Sequence, residues 1–246
     1  MSETYSIPRP AELVEVWPPD DTEESVMGTD LHQLTIINLR LGMDEIATSL
    51  TPVGEPAPWQ PLSQTIVNGF ERLDGSRYKT LPDVFVYLRP IGRRRGSVEI
   101  TVDGLPLLIV EVLSESTYAF DLNMRAGKGY SYARAGVREY LVVDPTGEIL
   151  PQQARGWRLD DGKYRLWNPD ATGCWRSEQI EVCIGVEGAM AAVYTRDGRR
   201  QPRSGEVTRE LARQESELAR QHDELARKDS ELAGLRRLVE ELRRDR

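Results

Sequence analysis

The stretch from Leu105 to Thr117 reads LPLLIVEVLSEST, and seven of its first nine residues are aliphatic. A run this continuous has the pattern of a strand buried on both faces. Such a strand needs a sheet covered on each side, which points the chain toward layered α/β architectures. Inside the run sits Glu111. A buried carboxylate costs on the order of several kcal/mol unless it is paired, protonated or bound to a cation.

The remaining pattern supplies the layers. Thr29 or Asp30 is placed to cap a helix with Leu31, Leu34, Ile37, Leu41 and Ile36 turned inward. Strands are expected over 64–68, 83–88, 98–102 and 107–113, followed by a helix over 122–135. A strand over 139–143 ends at Asp144-Pro145. GWRL, KYRLW, CWRSEQIEVCIGV and residues 190–194 then alternate and turn like an antiparallel meander. The expected fold is a mixed α/β core with an added antiparallel β-rich half.

From Arg209 the chain repeats every seven residues, with Leu211, Leu218, Leu225 and Leu232 at one position and Ala212, Ala219, Ala226 and Ala233 beside them. Val239, Leu235 and Leu242 join later. A sustained heptad reads as a coiled-coil helix and predicts a homo-oligomer with a thin seam. A solvated single helix held by Glu/Arg pairs is the alternative. Gly198, Pro202, Ser204 and Gly205 punctuate the join. The expected organisation is an N-terminal arm (1–28), a main domain (29–197; core about 29–145, β-rich extension about 146–197), a linker (198–208) and the coiled-coil helix (209–244).

Composition removes several function classes. The acidic, Pro-rich start has no signal-peptide pattern, and no apolar run nears the roughly 20 residues of a membrane span. Cys174 and Cys183 lack zinc spacing and read as reduced thiols of a cytoplasmic protein. A net charge of −8 argues against non-specific nucleic-acid binding by the whole surface. Locally, however, Arg72, Arg77, Lys79, Arg89, Arg93, Arg94 and Arg95 crowd one segment that could meet phosphates. Solvated loop arginines are the simpler alternative.

Asp83 opens the strand PDVFVYL, and Glu111 lies in the next long apolar strand. Two carboxylates on neighbouring strands can share a Mg²⁺, which takes one or two carboxylates plus waters and substrate phosphates. A purely structural pairing of Glu111 with an arginine or lysine is equally open. Lys128, between Gly127 and Gly129, shares a helical face with Met124, Tyr132 and Ala135. The glycines suggest close approach to the sheet, aiming the ammonium at an acid. A lysine with a buried stem and its head in water is the alternative.

PDVFVYL, LPLLIVEVLSEST and DLNMRAGKGYSYARAGVREYLVVDP together resemble the Uma-two family of restriction endonucleases, within the PD-(D/E)XK nuclease superfamily. The resemblance spans roughly His32 to Tyr194. It implies a restriction-endonuclease-like core, a DNA substrate and phosphodiester hydrolysis dependent on Mg²⁺, with Mn²⁺ as a substitute. Asp83 matches the superfamily aspartate and Glu111 the second acidic ligand, with the Val112 carbonyl as a further ligand. Leu113 stands where the superfamily lysine is normal, and Lys128 is the position that matches a lysine moved to the adjacent helix. His32 matches a recurrent family histidine, the alternative being a core or cap histidine. Two other classes stay open: an inactive nucleic-acid-binding module, and a coiled-coil assembly protein with a docking domain.

Overall fold

The computed structural model describes residues 30–88, 91 and 96–244, the last ten of these as backbone only. The expected N-terminal arm and Arg93, Arg94 and Arg95 lie outside the described residues. The described chain divides into two compact units, one ending at Gln201 and one beginning at Pro202.

In the first unit a six-stranded mixed sheet is central. Its order is β1 (Gln60–Leu62), β4 (Val84–Tyr87), β6 (Leu108–Val112), β7 (Glu139–Val143), β8 (Ala154–Asp160) and β9 (Lys163–Trp167). Only β6 and β7 run parallel; the other pairs are antiparallel. All residues of β4, β6 and β7 are buried, as the continuous apolar runs require.

Alternation along β6 splits the core in two. Leu108, Val110 and Val112 face a cluster built with α1 (Asp30–Ser49) and the three-stranded sheet of β10 (Trp175–Arg176), β11 (Val182–Glu187) and β12 (Met190–Thr195). Ile109 and Leu113 face the other cluster. That one includes a second three-stranded sheet of β3 (Arg77–Thr80), β2 (Ile66–Glu71) and β5 (Ser97–Glu99), together with α4 (Lys128–Ala135). This is the mixed sheet with flanking helices of a restriction-endonuclease-like fold.

Several expectations change. β8 and β9 extend the central sheet, so part of the β-rich half completes the core. The expected strand over 98–102 stops at Glu99, and α2 (Ile100–Asp103) follows. The expected helix over 122–135 is two pieces, α3 (Tyr118–Asp121) and α4. On α1, Leu34, Ile37 and Leu41 are exposed, whereas Ile36, Leu39, Met43 and Ile46 are buried. Two apolar stripes compete on that helix. The inward one is continued by His32, which an apolar count overlooks.

Cys174 and Cys183 form a disulfide rather than two reduced thiols. That removes one ground for the cytoplasmic reading. Among the described residues no helix is long and apolar enough to cross a membrane.

The second unit is α5 (Ser204–Arg244), whose helix begins before the expected Arg209. Leu211, Leu218, Leu225 and Leu232 are exposed along it.

Candidate active site: a buried cluster of acids and a lysine

The antiparallel register of β4 on β6 pairs Val84 with Val110, so the next step brings Asp83 opposite Glu111. Period-two alternation turns Glu111 to the same side as Ile109 and Leu113, the side covered by α4. Asp83 Oδ2 accepts the Val112 N–H at 2.7 Å, which continues the ladder with a carboxylate in place of a carbonyl. The Asp83 N–H is 3.4 Å from Glu111 Oε2.

Lys128 and Tyr132 are four residues apart on α4 and so share a face. Both reach Glu111 Oε1: Lys128 Nζ lies 3.3 Å away, and Tyr132 donates its hydroxyl at 2.8 Å. The Tyr132 oxygen is also 3.2 Å from Thr80 Oγ1. Asp121, the last residue of α3, places Oδ1 3.1 Å from Lys128 Nζ.

The two glycines serve a different contact from the one expected. Gly127 is the N-cap of α4, and a Cβ there would collide with the Phe120 carbonyl and Asn123. A Cβ on Gly129 would strike the Met124 side chain. They let α4 start tight against the preceding turn, not against the sheet. The result for Lys128 is nonetheless an ammonium aimed at acids.

His32 comes from the opposite face. Its Nε2 donates to the Val112 carbonyl at 2.8 Å and stands 3.7 Å from Asp83 Oδ2. Glu111 and Asp121 are about as buried as side chains can be, whereas the side chains of Asp83 and His32 keep 14% and 11% of their surface. The cluster therefore opens to solvent at Asp83 and His32.

Two carboxylates contact one lysine here, and a third, Asp83, lies within its field. Burial pushes the Asp83 carboxyl up to about 6, although His32 and Lys128 pull it down. Burial raises Glu111 well above the usual carboxylate range; Lys128 opposes this, while Asp121 and Asp83 add to it.

Does this donor set suit a divalent cation? Among the described residues no three His, Cys, Asp or Glu side chains form a ready-made metal group. The acid pair still fits. Glu111 Oε1 is taken by Lys128 and Tyr132, and Asp83 Oδ2 by Val112. Glu111 Oε2 meets only the distant Asp83 N–H, and Asp83 Oδ1 accepts no hydrogen bond among the described residues. A carboxylate oxygen without a hydrogen bond at Asp83, beside the opening, and one held only by a long hydrogen bond at Glu111 suit Mg²⁺, which is held by one or two carboxylates with waters and substrate phosphates.

A six-stranded sheet that carries acids at facing ends of β4 and β6, with a lysine from the crossing helix, defines a restriction-endonuclease-like core. The family is more specific. Residues 69–183 match the model described as "Uma2: Putative restriction endonuclease", the family that the motifs around Asp83, Glu111 and Lys128 resemble. The matched segment contains those three residues together with Asp121 and Tyr132; His32 lies outside it. The chain is also 34% identical over 117 residues to an uncharacterized protein of Synechocystis sp.. That similarity covers 47% of this chain and 54% of the relative, so the chain spans about half the length of the protein it matches.

Sequence reasoning missed Asp121 and the bond from Tyr132. The signal for Tyr132 was its position one turn after Lys128. For Asp121 there was an acid seven residues before the lysine, but the break between α3 and α4 hides their contact from a helical wheel.

Proposed function

We propose that the protein is a divalent-metal-dependent endonuclease that hydrolyses DNA phosphodiester bonds, with Asp83, Glu111 and Lys128 as its catalytic unit. The meeting of Asp83 and Lys128 at the two oxygens of Glu111, with Asp83 Oδ1 left to a further ligand, supports this most directly. Asp83 and Glu111 would hold Mg²⁺ or Mn²⁺, with the Val112 carbonyl as a further ligand once His32 yields it. When bound, the cation would polarise the phosphodiester and lower the pKa of water beside it. Lys128 would orient the attacking water and oppose negative charge that builds up on the phosphate. Asp83 and His32, at the opening, would meet substrate first.

Basic residues suit a nucleic-acid partner. Arg77 and Lys79 are exposed on β3, which leads within three residues from Thr80 to Asp83. Arg93, Arg94 and Arg95 belong to the same basic segment of the sequence and are proposed phosphate contacts. The exposed leucines of α5 would pair with another copy, making a homo-oligomer, most simply a dimer.

The contact of Lys128 with Glu111 favours a second reading, a structural ion pair in an inactive nucleic-acid-binding module. A cleavage assay separates the two. The full chain, on plasmid and linear DNA, should cut only with Mg²⁺ or Mn²⁺, and Ca²⁺ should support binding better than turnover. Asp83→Ala and Glu111→Ala should each abolish cleavage. Lys128→Met should lose most of the rate, and adding it to Glu111→Ala should cost little more, as for residues acting jointly. Cleavage that persists in identically purified Asp83→Ala protein would belong to a contaminant and sink the reading.

A further inference from the structure

Asp121 belongs to neither strand that carries the acid pair. It closes α3, and its side chain is almost wholly buried. The backbone fixes it: its N–H donates to the Thr117 carbonyl at 3.0 Å, and its own carbonyl accepts the Tyr140 hydroxyl at 2.8 Å. Its backbone is therefore held in place by the fold, independently of Lys128, with the carboxylate in the interior. The approach of Oδ1 to Lys128 Nζ is off the hydrogen-bonding angle, so the contact is charge against charge. On its other side the same ammonium lies 3.3 Å from Glu111 Oε1.

Building on the cation-site reading, we infer that Asp121 is a positioning residue, a buried counter-anion that shares Lys128 with Glu111 and so keeps the Asp83–Glu111 pair open to a cation. An ammonium whose charge fell wholly on Glu111 would compete with a divalent cation for that carboxylate. Charges interact strongly in a water-poor interior, so the division of one lysine between two acids sets how much negative potential is left for a metal. Asp121 leaves Lys128 within reach of the site yet partly neutralised.

The test is Mn²⁺ binding to the full chain, followed by calorimetry, for the wild type, Asp121→Asn, Lys128→Met and the double variant. Asp121→Asn should weaken binding by about tenfold or more, the usual scale for an outer partner of a metal site. Adding Lys128→Met should restore affinity to within about threefold of the wild type, because the charge that Asp121 offset is gone. A double variant as weak as Asp121→Asn would overturn the inference and leave Asp121 a direct ligand or a structural prop. Should the wild type bind no Mn²⁺, the cation reading itself fails. Metal-free melting temperatures of the same four proteins then decide whether Asp121 acts through Lys128. A loss from Asp121→Asn that disappears in the Lys128→Met background supports the pairing, and an equal loss in both backgrounds overturns it.

Discussion

Glu111 raised the question of what a carboxylate does inside an apolar strand, and its surroundings give two opposed forces. Burial and the neighbouring acids disfavour its charge, while Lys128 and Tyr132 favour it. For Asp83 the balance has a sign that can be measured. Its carboxyl is raised from 3.8 to about 6, so the folded state holds the proton more tightly than the unfolded chain. Stability from this group is complete below about pH 4 and is lost as pH rises through about 6, an amount on the order of 3 kcal/mol. In metal-free protein, Asp83→Asn should therefore raise the melting temperature at pH 7.5 and lose that advantage by pH 4; melts across this range check it. Glu111→Gln carries the complementary test. If the acid pair is a cation pocket, the variant should be neutral or stabilising without metal and should lose any Mg²⁺-induced rise in melting temperature. If Glu111 and Lys128 form a structural ion pair, it should be destabilising by about 3 kcal/mol.

The legibility of the elements followed the strength of their periodicity. The run around Glu111 and the strand over 139–143 were plain because full burial leaves a continuous apolar signature. The face of α1 was not, because Leu34, Ile37 and Leu41 make as good a stripe as Ile36, Leu39, Met43 and Ile46, and only packing decides between them. Leu39→Ala should cost about 3 kcal/mol in a denaturation experiment, the usual scale for a buried leucine. Leu34→Ala should stay within about 0.5 kcal/mol. The break between α3 and α4 was hidden for another reason. Gly127 and Gly129 read as points of close approach within one helix, whereas Gly127 caps a new one. Glu111 and Lys128 were legible as candidates because each is polar where its element should be apolar, and Asp83 because it opens the neighbouring strand. Asp121 was not, because its partner lies across a turn.

At the scale of the whole molecule, the described chain divides near 201, and each unit poses its own question. In α5 the leucine stripe is exposed over four heptads, with contacts along the helix such as Lys228 to Glu224 at 2.6 Å. A seam of leucines backed only by alanines should associate modestly. Light scattering on the full chain should give a dimer mass, and Leu218→Asp with Leu225→Asp should reduce it to that of a monomer. An unchanged mass would mean the helix is not the contact.

In the first unit β4, β6 and α4 bring two acids and a lysine together below an opening at Asp83, and the central question is whether the acids hold a cation. Diffraction from crystals soaked in Mn²⁺, collected to record the anomalous signal of manganese, asks this directly. The expected result is a peak within about 2.5 Å of both Asp83 Oδ1 and Glu111 Oε2 that vanishes in Glu111→Gln crystals. A cluster without such a peak, with Lys128 still seated against Glu111 at high Mn²⁺, would contradict it.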